Sequence, residues 1–189
     1  MDKALRVRQT LIAFLDRDGV ISRYYANDFT NKWEEFEFLP GAKEALRLLH
    51  QAGAKVIIIS NQSGVNKGIY SRLTLKEIDR RMRAEITRAG GEITASYYCP
   101  HTAEEKCSCR KPGTGLIEQA VRKLKLNLEK SSVYFVGDSD TDIAAGKSAG
   151  LVTILVLSGK TILAEEVSGW PVKPDHIAPD LLGALKYIL

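Results

Sequence analysis

The sequence predicts an α/β fold in which a three-layer, Rossmann-like parallel sheet carries helices on both faces. Three observations predict it. Apolar, β-branched runs recur along the chain, segments with helical periodicity separate them, and most of the runs are apolar throughout rather than alternating in polarity. A strand that is apolar throughout is buried on both faces, as in a parallel sheet covered by helices.

Five runs have the length and composition of strands. They span residues 10–15, 55–60, 93–99, 132–137 and 151–157. The runs TLIAFL and KVIIIS are typical, since β-branched and aromatic residues favour the extended backbone. We therefore expect a sheet of five strands.

The segments between these runs predict helices. In GAKEALRLLHQAG (41–53), Ala42, Ala45, Leu46 and Leu49 fall on one helical face, and Gly53 is suited to end the helix. Similar patterns cover residues 74–91, 115–126 and 141–150, and residues 179–189 close the chain as a helix. Strand and helix alternate, which is typical of an open parallel sheet.

Composition and length indicate one globular domain over residues 1–189. The chain is long enough for one well-buried core and short for two. Its 27 basic and 23 acidic residues are mixed, so the net charge of +4 does not indicate a nucleic-acid partner. No stretch approaches the ~20 apolar residues of a membrane helix. The apolar run 11–15 is too short for a secretory signal, although it follows the basic residues Lys3, Arg6 and Arg8, so we expect a cytoplasmic protein. We also expect a monomer with neither nucleic-acid nor membrane partners.

Polar groups stand at the ends of the predicted strands or in the adjoining loops. They occur in DRDG (16–19), SNQSG (60–64), CRKPG (109–113) and GDSDTD (137–142). Each alone is also explained as a turn or a helix cap. In an open α/β sheet, however, ligands bind beyond the carboxyl ends of the strands, where these groups would meet.

Together these groups have the chemistry of phosphoryl transfer. A carboxylate such as Asp16 can attack phosphorus, and a second carboxyl group two residues on, Asp18, can protonate the leaving oxygen and later deprotonate water. A divalent cation must offset the repulsion between carboxylates and phosphate, and Mg²⁺ prefers oxygen ligands. A lysine and a hydroxyl can then bind the phosphoryl oxygens.

The four motifs, in this order over residues 11–157, resemble the haloacid dehalogenase superfamily of phosphohydrolases. The resemblance implies that Asp16 is the nucleophile and Asp18 the acid/base. It implies that Ser60 and Lys111 hold the phosphoryl group, and that Mg²⁺ is bound by Asp16, Asp138 and the backbone carbonyl of Asp18. Asp142 matches the last aspartate of the pattern and supports the site indirectly, whereas Asp140 lies outside the pattern as an exposed or capping residue.

The three cysteines are confined to one irregular segment, CPHTAEEKCSC, which predicts a zinc loop over residues 99–110. Cys99, His101, Cys107 and Cys109 supply three sulfurs and one nitrogen, a closed tetrahedral shell of the structural kind. Buried free thiols or a Cys107/Cys109 redox pair are the alternatives. Bound zinc would stiffen the loop that carries Arg110 and Lys111.

The run C-P-H followed by C-x-C-R-K-P resembles a zinc-containing branch of the superfamily, which acts on D-glycero-D-manno-heptose 1,7-bisphosphate or histidinol phosphate. It implies a small phosphorylated sugar or polyol as substrate, no large cap domain, and substrate contacts from Asn61, Gln62, Ser63 and Arg110. SNQSGVNKG resembles the heptose group's version of this loop, and the sequence contains no downstream dehydratase domain, so we expect a heptose bisphosphate 7-phosphatase. The alternatives are a histidinol-phosphate phosphatase, a nucleic-acid 3′-phosphatase and a non-catalytic zinc or anion-binding module.

The segment between the first strand and the first helix lacks clear periodicity, and a loop of this length favours a functional role. We expect residues 20–40 to act as a specificity loop. Its candidate residues are Tyr24, Tyr25, Trp33, Glu34 and Glu35. The alternative for Trp33 and Phe36 is packing over the edge of the sheet.

Overall fold

The computed structural model describes residues 9–26 and 28–189, so the basic residues of the signal-like segment, Lys3, Arg6 and Arg8, lie outside it. Strands and helices alternate as predicted. The strands are β1 (Thr10–Leu15), β2 (Lys55–Asn61), β3 (Ala95–Cys99), β4 (Ser131–Gly137), β5 (Val152–Val156) and β6 (His176–Ala178). The helices are α1 (Ala42–Gln51), α2 (Arg72–Arg88), α3 (Gly115–Leu124), α4 (Asp140–Ser148) and α5 (Leu181–Ile188).

All six strands form one parallel sheet with the order β3-β2-β1-β4-β5-β6. The predicted parallel α/β sheet is therefore confirmed, with one strand more than expected. The sequence pattern missed β6 because the run HIA has only three residues and no flanking apolar run.

The helices cover both faces of the sheet. Ala13 and Leu15 of β1 pack with α1, α2 and α5 on one face, whereas Ile12 and Phe14 pack with α3 and α4 on the other. All four side chains are fully buried. Burying a Leu, Ile or Phe side chain contributes about 1.5–3 kcal/mol, so this alternation stabilises the three-layer arrangement.

The helix ends follow from local chemistry. Gly53 has a φ of 75°, a left-handed conformation that suits glycine, and it ends α1 as predicted. Helix α2 begins two residues before the predicted start, because the Ser71 side chain accepts a hydrogen bond from the Thr74 amide at 3.0 Å. The first turn of α4 is held by Ser139 and Asp142, whose side chains cap it reciprocally.

The segment between β1 and α1 is pinned at its base. The Arg23 amide donates to the Glu37 carbonyl at 2.9 Å, and the Leu39 amide donates to the Ile21 carbonyl at 3.0 Å. In its described part the segment holds a short 3-10 helix, Trp33–Glu35, and no large cap domain. Trp33 stacks on the buried Phe36 with ring centroids 5.1 Å apart, and both side chains pack in or against the hydrophobic core.

The strand order reverses direction between β1 and β4, which lie side by side at the centre of the sheet. In doubly wound sheets the crevice at this reversal is where ligands bind. Asp16 follows β1 and Asp138 follows β4, so the fold brings two of the predicted site residues to this crevice. Among residues 9–26 and 28–189, none of the helices combines the length and apolar character that a membrane crossing demands.

Candidate active site

A cavity of 470 Å³ lies at the carboxyl ends of β1, β2 and β4. Residues from all four sequence motifs line it. The predicted residues among them are Asp16, Asp18, Ser60, Asn61, Gln62, Arg110, Lys111 and Asp138. The spatial convergence that the sequence predicts is therefore present.

The floor of the cavity is a cluster of buried charges. Asp16, Asp138 and Asp142 each place a carboxylate oxygen within 4.8 Å of the others, and all three residues are buried. The Lys111 ammonium lies 2.9 Å from Asp16 and 2.5 Å from Asp142. It also donates to the Ile59 carbonyl at 2.9 Å.

The cluster has more negative charge than its one lysine can balance. Burial raises the pKa of Asp16 to about 6 against the opposing effect of Lys111. Burial, with repulsion from Asp142 and Asp16, raises the pKa of Asp138 well above its ordinary value. Three carboxylates beside one ammonium leave a deficit of about two positive charges, which is the charge of Mg²⁺, and carboxylate oxygens are its preferred ligands. The residues present therefore fit a magnesium ion.

Two glycines give Asp138 its position. A Cβ atom on Gly19 or on Gly159 would lie 2.0 Å from Asp138 Oδ2, and Gly19 also has a φ of 83°. The Lys160 amide donates to the same oxygen at 2.6 Å. The glycine of the DRDG motif is thus required for the close approach of two loops. Gly159 and Lys160 were not predicted from the sequence, because only the fold brings the segment after β5 to this site.

The hydroxyl and amide of β2 contact the neighbouring motifs. Ser60 is 1% exposed, and its side chain hydrogen-bonds to Asp16, an interaction that lowers the pKa of Asp16 against the larger effect of burial. The Asn61 side chain accepts from the Lys111 amide at 3.0 Å and donates to the Lys111 carbonyl at 3.2 Å. Asn61 therefore fixes the loop that carries the lysine, in addition to lining the cavity.

The carboxylate of Asp18 is held apart from the acidic cluster. Arg17 donates to it from Nε at 2.9 Å and from Nη2 at 2.8 Å, and the Ser22 hydroxyl donates at 2.9 Å. Although burial opposes the change, these donors and Gln62 lower the pKa of Asp18. The side chain of Asp18 does not belong to the described acidic trio, and the predicted use of its backbone carbonyl for Mg²⁺ stays a prediction.

Arg17 is a site residue that sequence reasoning missed. It is 1% exposed, although it stands between two acidic residues in the DRDG motif. The residue type at the second position of this motif predicts neither burial nor a function. The exposed charge expected of an arginine in such a loop is buried here because Asp18 pairs with it. Only this pairing in space marks it as part of the site.

The four predicted zinc ligands lie together. The sulfurs of Cys99, Cys107 and Cys109 are 3.2–3.6 Å apart, and His101 Nδ1 lies 3.2 Å from Cys109 Sγ and 3.5 Å from Cys99 Sγ. A tetrahedron with Zn–S bonds of ~2.3 Å has edges of about 3.8 Å, so the donor set and its spacing fit zinc. Arg110 donates from Nη1 to the His101 carbonyl at 3.1 Å, which ties the zinc loop to the cavity.

Other predicted residues divide between the cavity and its surroundings. Tyr24 and Tyr25 of the predicted specificity loop line the cavity. Ser63 is 9% exposed and is not among the described lining residues. Trp33, Glu34 and Glu35 do not line it either: Trp33 packs on the core, and the glutamates pair with Arg81 and Lys32. Asp140 is exposed, as expected for a residue outside the pattern, and it lies 3.6 Å from Lys160.

Family models match most of the chain. A model described as haloacid dehalogenase-like hydrolase matches residues 13–145, and a second HAD-hydrolase-like model matches residues 108–184. A D-glycero-beta-D-manno-heptose-1,7-bisphosphate 7-phosphatase of Pseudomonas putida is 38% identical over 149 residues, which cover 79% of this chain and 83% of that protein. The Haemophilus ducreyi protein of the same name is 32% identical over 183 residues, covering 93% of this chain and 96% of that protein.

Solved structures agree with these matches. The crystal structure of D,D-heptose 1,7-bisphosphate phosphatase from B. bronchiseptica, complexed with magnesium and phosphate, superposes with a TM-score of 0.86. It is 31% identical in sequence, and the alignment covers 94% of this chain and 97% of that one. The corresponding protein of Burkholderia thailandensis gives a TM-score of 0.70 at 27% identity, covering 94% of this chain and 98% of that one.

Proposed function

The chain belongs to the haloacid dehalogenase-like hydrolases, and from this membership we propose that it is the phosphatase that removes the 7-phosphate of D-glycero-β-D-manno-heptose 1,7-bisphosphate. One observation carries the proposal. A nucleophilic carboxylate, a buried lysine and two further carboxylates converge at the floor of one cavity, and relatives with this substrate in their names align over most of the chain.

The proposed reaction uses two displacements at phosphorus. An oxygen of Asp16 forms a bond to phosphorus while the bond between phosphorus and the sugar oxygen breaks, and Asp18 gives that oxygen a proton. Water then attacks the aspartyl-phosphate, Asp18 takes its proton, and inorganic phosphate leaves with the carboxylate restored. Asp18 suits both steps because it lines the cavity while Asp16 lies at its floor.

Lys111 and Ser60 supply positive charge and a hydroxyl to the phosphoryl oxygens in this proposal. Both are at least 97% buried, so their interactions with the developing charge are stronger than in water. Asp16 and Asp138, with the backbone carbonyl of Asp18, would hold the magnesium ion, which neutralises charge between the carboxylates and the phosphate when bound. Cys99, His101, Cys107 and Cys109 would hold zinc and so fix the loop before Lys111.

The charge of the cavity entrance supports a bisphosphate as substrate. Arg23, Lys67, Arg110 and Lys160 line it outside the acidic floor, and Asp28 is the acidic residue beside them. A second phosphate group would be attracted to these cations, whereas the ammonium of histidinol phosphate would be repelled. The same comparison distinguishes the two substrates experimentally.

The experiment measures phosphate release, with and without Mg²⁺, from heptose 1,7-bisphosphate and from histidinol phosphate. We expect kcat/KM to be higher for the heptose, dependent on Mg²⁺, and reduced at least about 1,000-fold in Asp16→Asn. Asp140→Asn makes the same chemical change on an exposed residue and should stay within about fivefold of the parent. A higher kcat/KM for histidinol phosphate would contradict the substrate, and full activity of Asp16→Asn would contradict the covalent route.

A further inference from the structure

The side chain of Gln62 has no hydrogen-bonding position left for a substrate. Its Oε1 accepts from Arg17 Nη2 at 2.9 Å and from the Tyr70 hydroxyl at 2.6 Å. Its Nε2 donates to Asp18 Oδ2 at 2.8 Å and to Ser60 Oγ at 3.2 Å. A primary amide offers two acceptor and two donor positions, so all four are occupied within the protein.

The surroundings of Gln62 determine which end of the amide faces Asp18. Arg17 and Tyr70 both donate to the oxygen, which turns the NH₂ group towards the Asp18 carboxylate. The reverse orientation would place the amide oxygen against that carboxylate and two donors against the NH₂ group. The orientation is therefore determined by charge and hydrogen bonding, and Asp18 receives a fixed donor.

The Tyr70 hydroxyl contacts the site through Gln62, and its ring packs near Phe29 of the cavity wall with ring centroids 6.3 Å apart. Tyr70 is 7% exposed and is not among the described residues that line the cavity, whereas Gln62 and Asp18 both line it. Its ring lies so close to Gly64 that a Cβ there would come within 2.3 Å of Cε1, which leaves the ring little freedom. The Asp18 side chain, by contrast, is 26% exposed and so remains accessible from the cavity.

We infer that Gln62 is a positioning residue for Asp18 rather than a substrate contact, and that Tyr70 acts through Gln62. This inference rests on the proposed function, in which Asp18 protonates the leaving oxygen. Gln62 and Arg17 both donate to Oδ2 of Asp18, and Arg17 also donates to Oδ1, so together they fix the carboxyl group at the cavity. The sequence predicted a substrate contact because Gln62 follows Ser60 and Asn61, and only the filled amide positions indicate the different role.

The test compares esters that differ in their need for a proton on the leaving group. A sugar phosphate releases a poorly leaving alkoxide and depends on the acid, whereas p-nitrophenyl phosphate releases a phenolate that leaves without a proton. We expect Gln62→Met to lower kcat/KM for heptose 1,7-bisphosphate about 10- to 100-fold and for p-nitrophenyl phosphate no more than about threefold. Inhibition by inorganic phosphate should change less than about twofold, because phosphate binding does not use Gln62.

Tyr70→Phe keeps the ring and removes one hydrogen bond, so we expect the same selective loss at about 3- to 10-fold. In a Gln62→Met background, Tyr70→Phe should lower kcat/KM for the heptose by less than a further factor of about two, because Tyr70 acts through Gln62. Gln51→Met repeats the first chemical change on an exposed residue at the end of α1, and Tyr187→Phe repeats the second on α5. Both controls should keep the parent kinetics.

Three results would overturn the inference. Weaker inhibition by phosphate in Gln62→Met would show that Gln62 is a substrate contact. Equal losses of kcat/KM on both esters would show that its role is structural. Additive effects of Gln62→Met and Tyr70→Phe would show that Tyr70 does not act through Gln62. Failure of the proposed function looks different: the unmodified protein would hydrolyse neither ester, or Asp18→Asn would show no selective loss on the sugar phosphate.

Discussion

Replacing Lys111 with methionine should destabilise the protein strongly, because it removes the only cation among three buried carboxylates in the described cluster. Lys111 is 3% exposed and lies 2.9 Å from Asp16 and 2.5 Å from Asp142. Methionine has a similar length and no charge, so packing changes little. The variant therefore isolates the electrostatic contribution of the ammonium group.

The magnitude follows from the burial of the partners that remain. Removing one member of a buried ion pair costs about 3–5 kcal/mol, because the other member stays buried without compensation. For a chain of this size, 1 kcal/mol corresponds to about 2–4 °C in Tm, so we expect Tm to fall by roughly 6–20 °C. Lys130→Met, an exposed position, should change the free energy of unfolding by no more than about 0.5 kcal/mol.

The loss should depend on pH in a defined direction. Burial raises the pKa of Asp16 in the folded, metal-free protein to about 6, above the unfolded value of 3.8, although Lys111 lowers it. The folded state therefore binds this proton more tightly, and stability falls as pH rises from about 4 through 6. Without Lys111 the folded pKa is higher still. The deficit of Lys111→Met should thus be small near pH 4 and largest above pH 6.

Urea unfolding of metal-free protein at several pH values, followed by circular dichroism, measures this deficit. A deficit below about 1 kcal/mol near pH 8, or one that shrinks as pH rises, would refute the electrostatic reasoning. Adding Mg²⁺ should recover part of the lost stability, because a divalent cation replaces charge in the same cluster.

Two further predictions concern the loops around the cavity. Gly159→Ala should lower activity at least about 100-fold and raise the Mg²⁺ concentration needed for half-maximal rate, because its Cβ would lie 2.0 Å from Asp138 Oδ2. The control Gly169→Ala, whose Cβ meets nothing within 4 Å, should leave both values unchanged. Similar behaviour of the two variants would contradict the steric argument. Cys109→Ser should lose the bound zinc, measured by plasma mass spectrometry, and its Tm should fall by several degrees. The control Ser108→Ala should keep the zinc and the parent Tm. Stoichiometric zinc in Cys109→Ser would exclude Cys109 as a ligand.

The order of the sheet and the role of Gln62 both required three-dimensional information. Continuous apolar runs indicated parallel, buried strands, but the run HIA of β6 was too short to predict from its residues. The amide of Gln62 is next to Ser60 and Asn61 in the chain, which suggested a shared role with them. Its partners Arg17 and Tyr70 are 45 and 8 residues away, and no local pattern reports such contacts.

The sequence by itself determined the kind of fold, the chemistry of the site and the four candidate zinc ligands, because these depend on local periodicity and on residue types at short spacings. The tertiary structure decided which charges are buried together, which loops approach Asp138, and which side chains of the long segment after β1 line the cavity. Such properties depend on distances between residues far apart in the chain. Those distances follow from how the strands pair and how the helices pack on them.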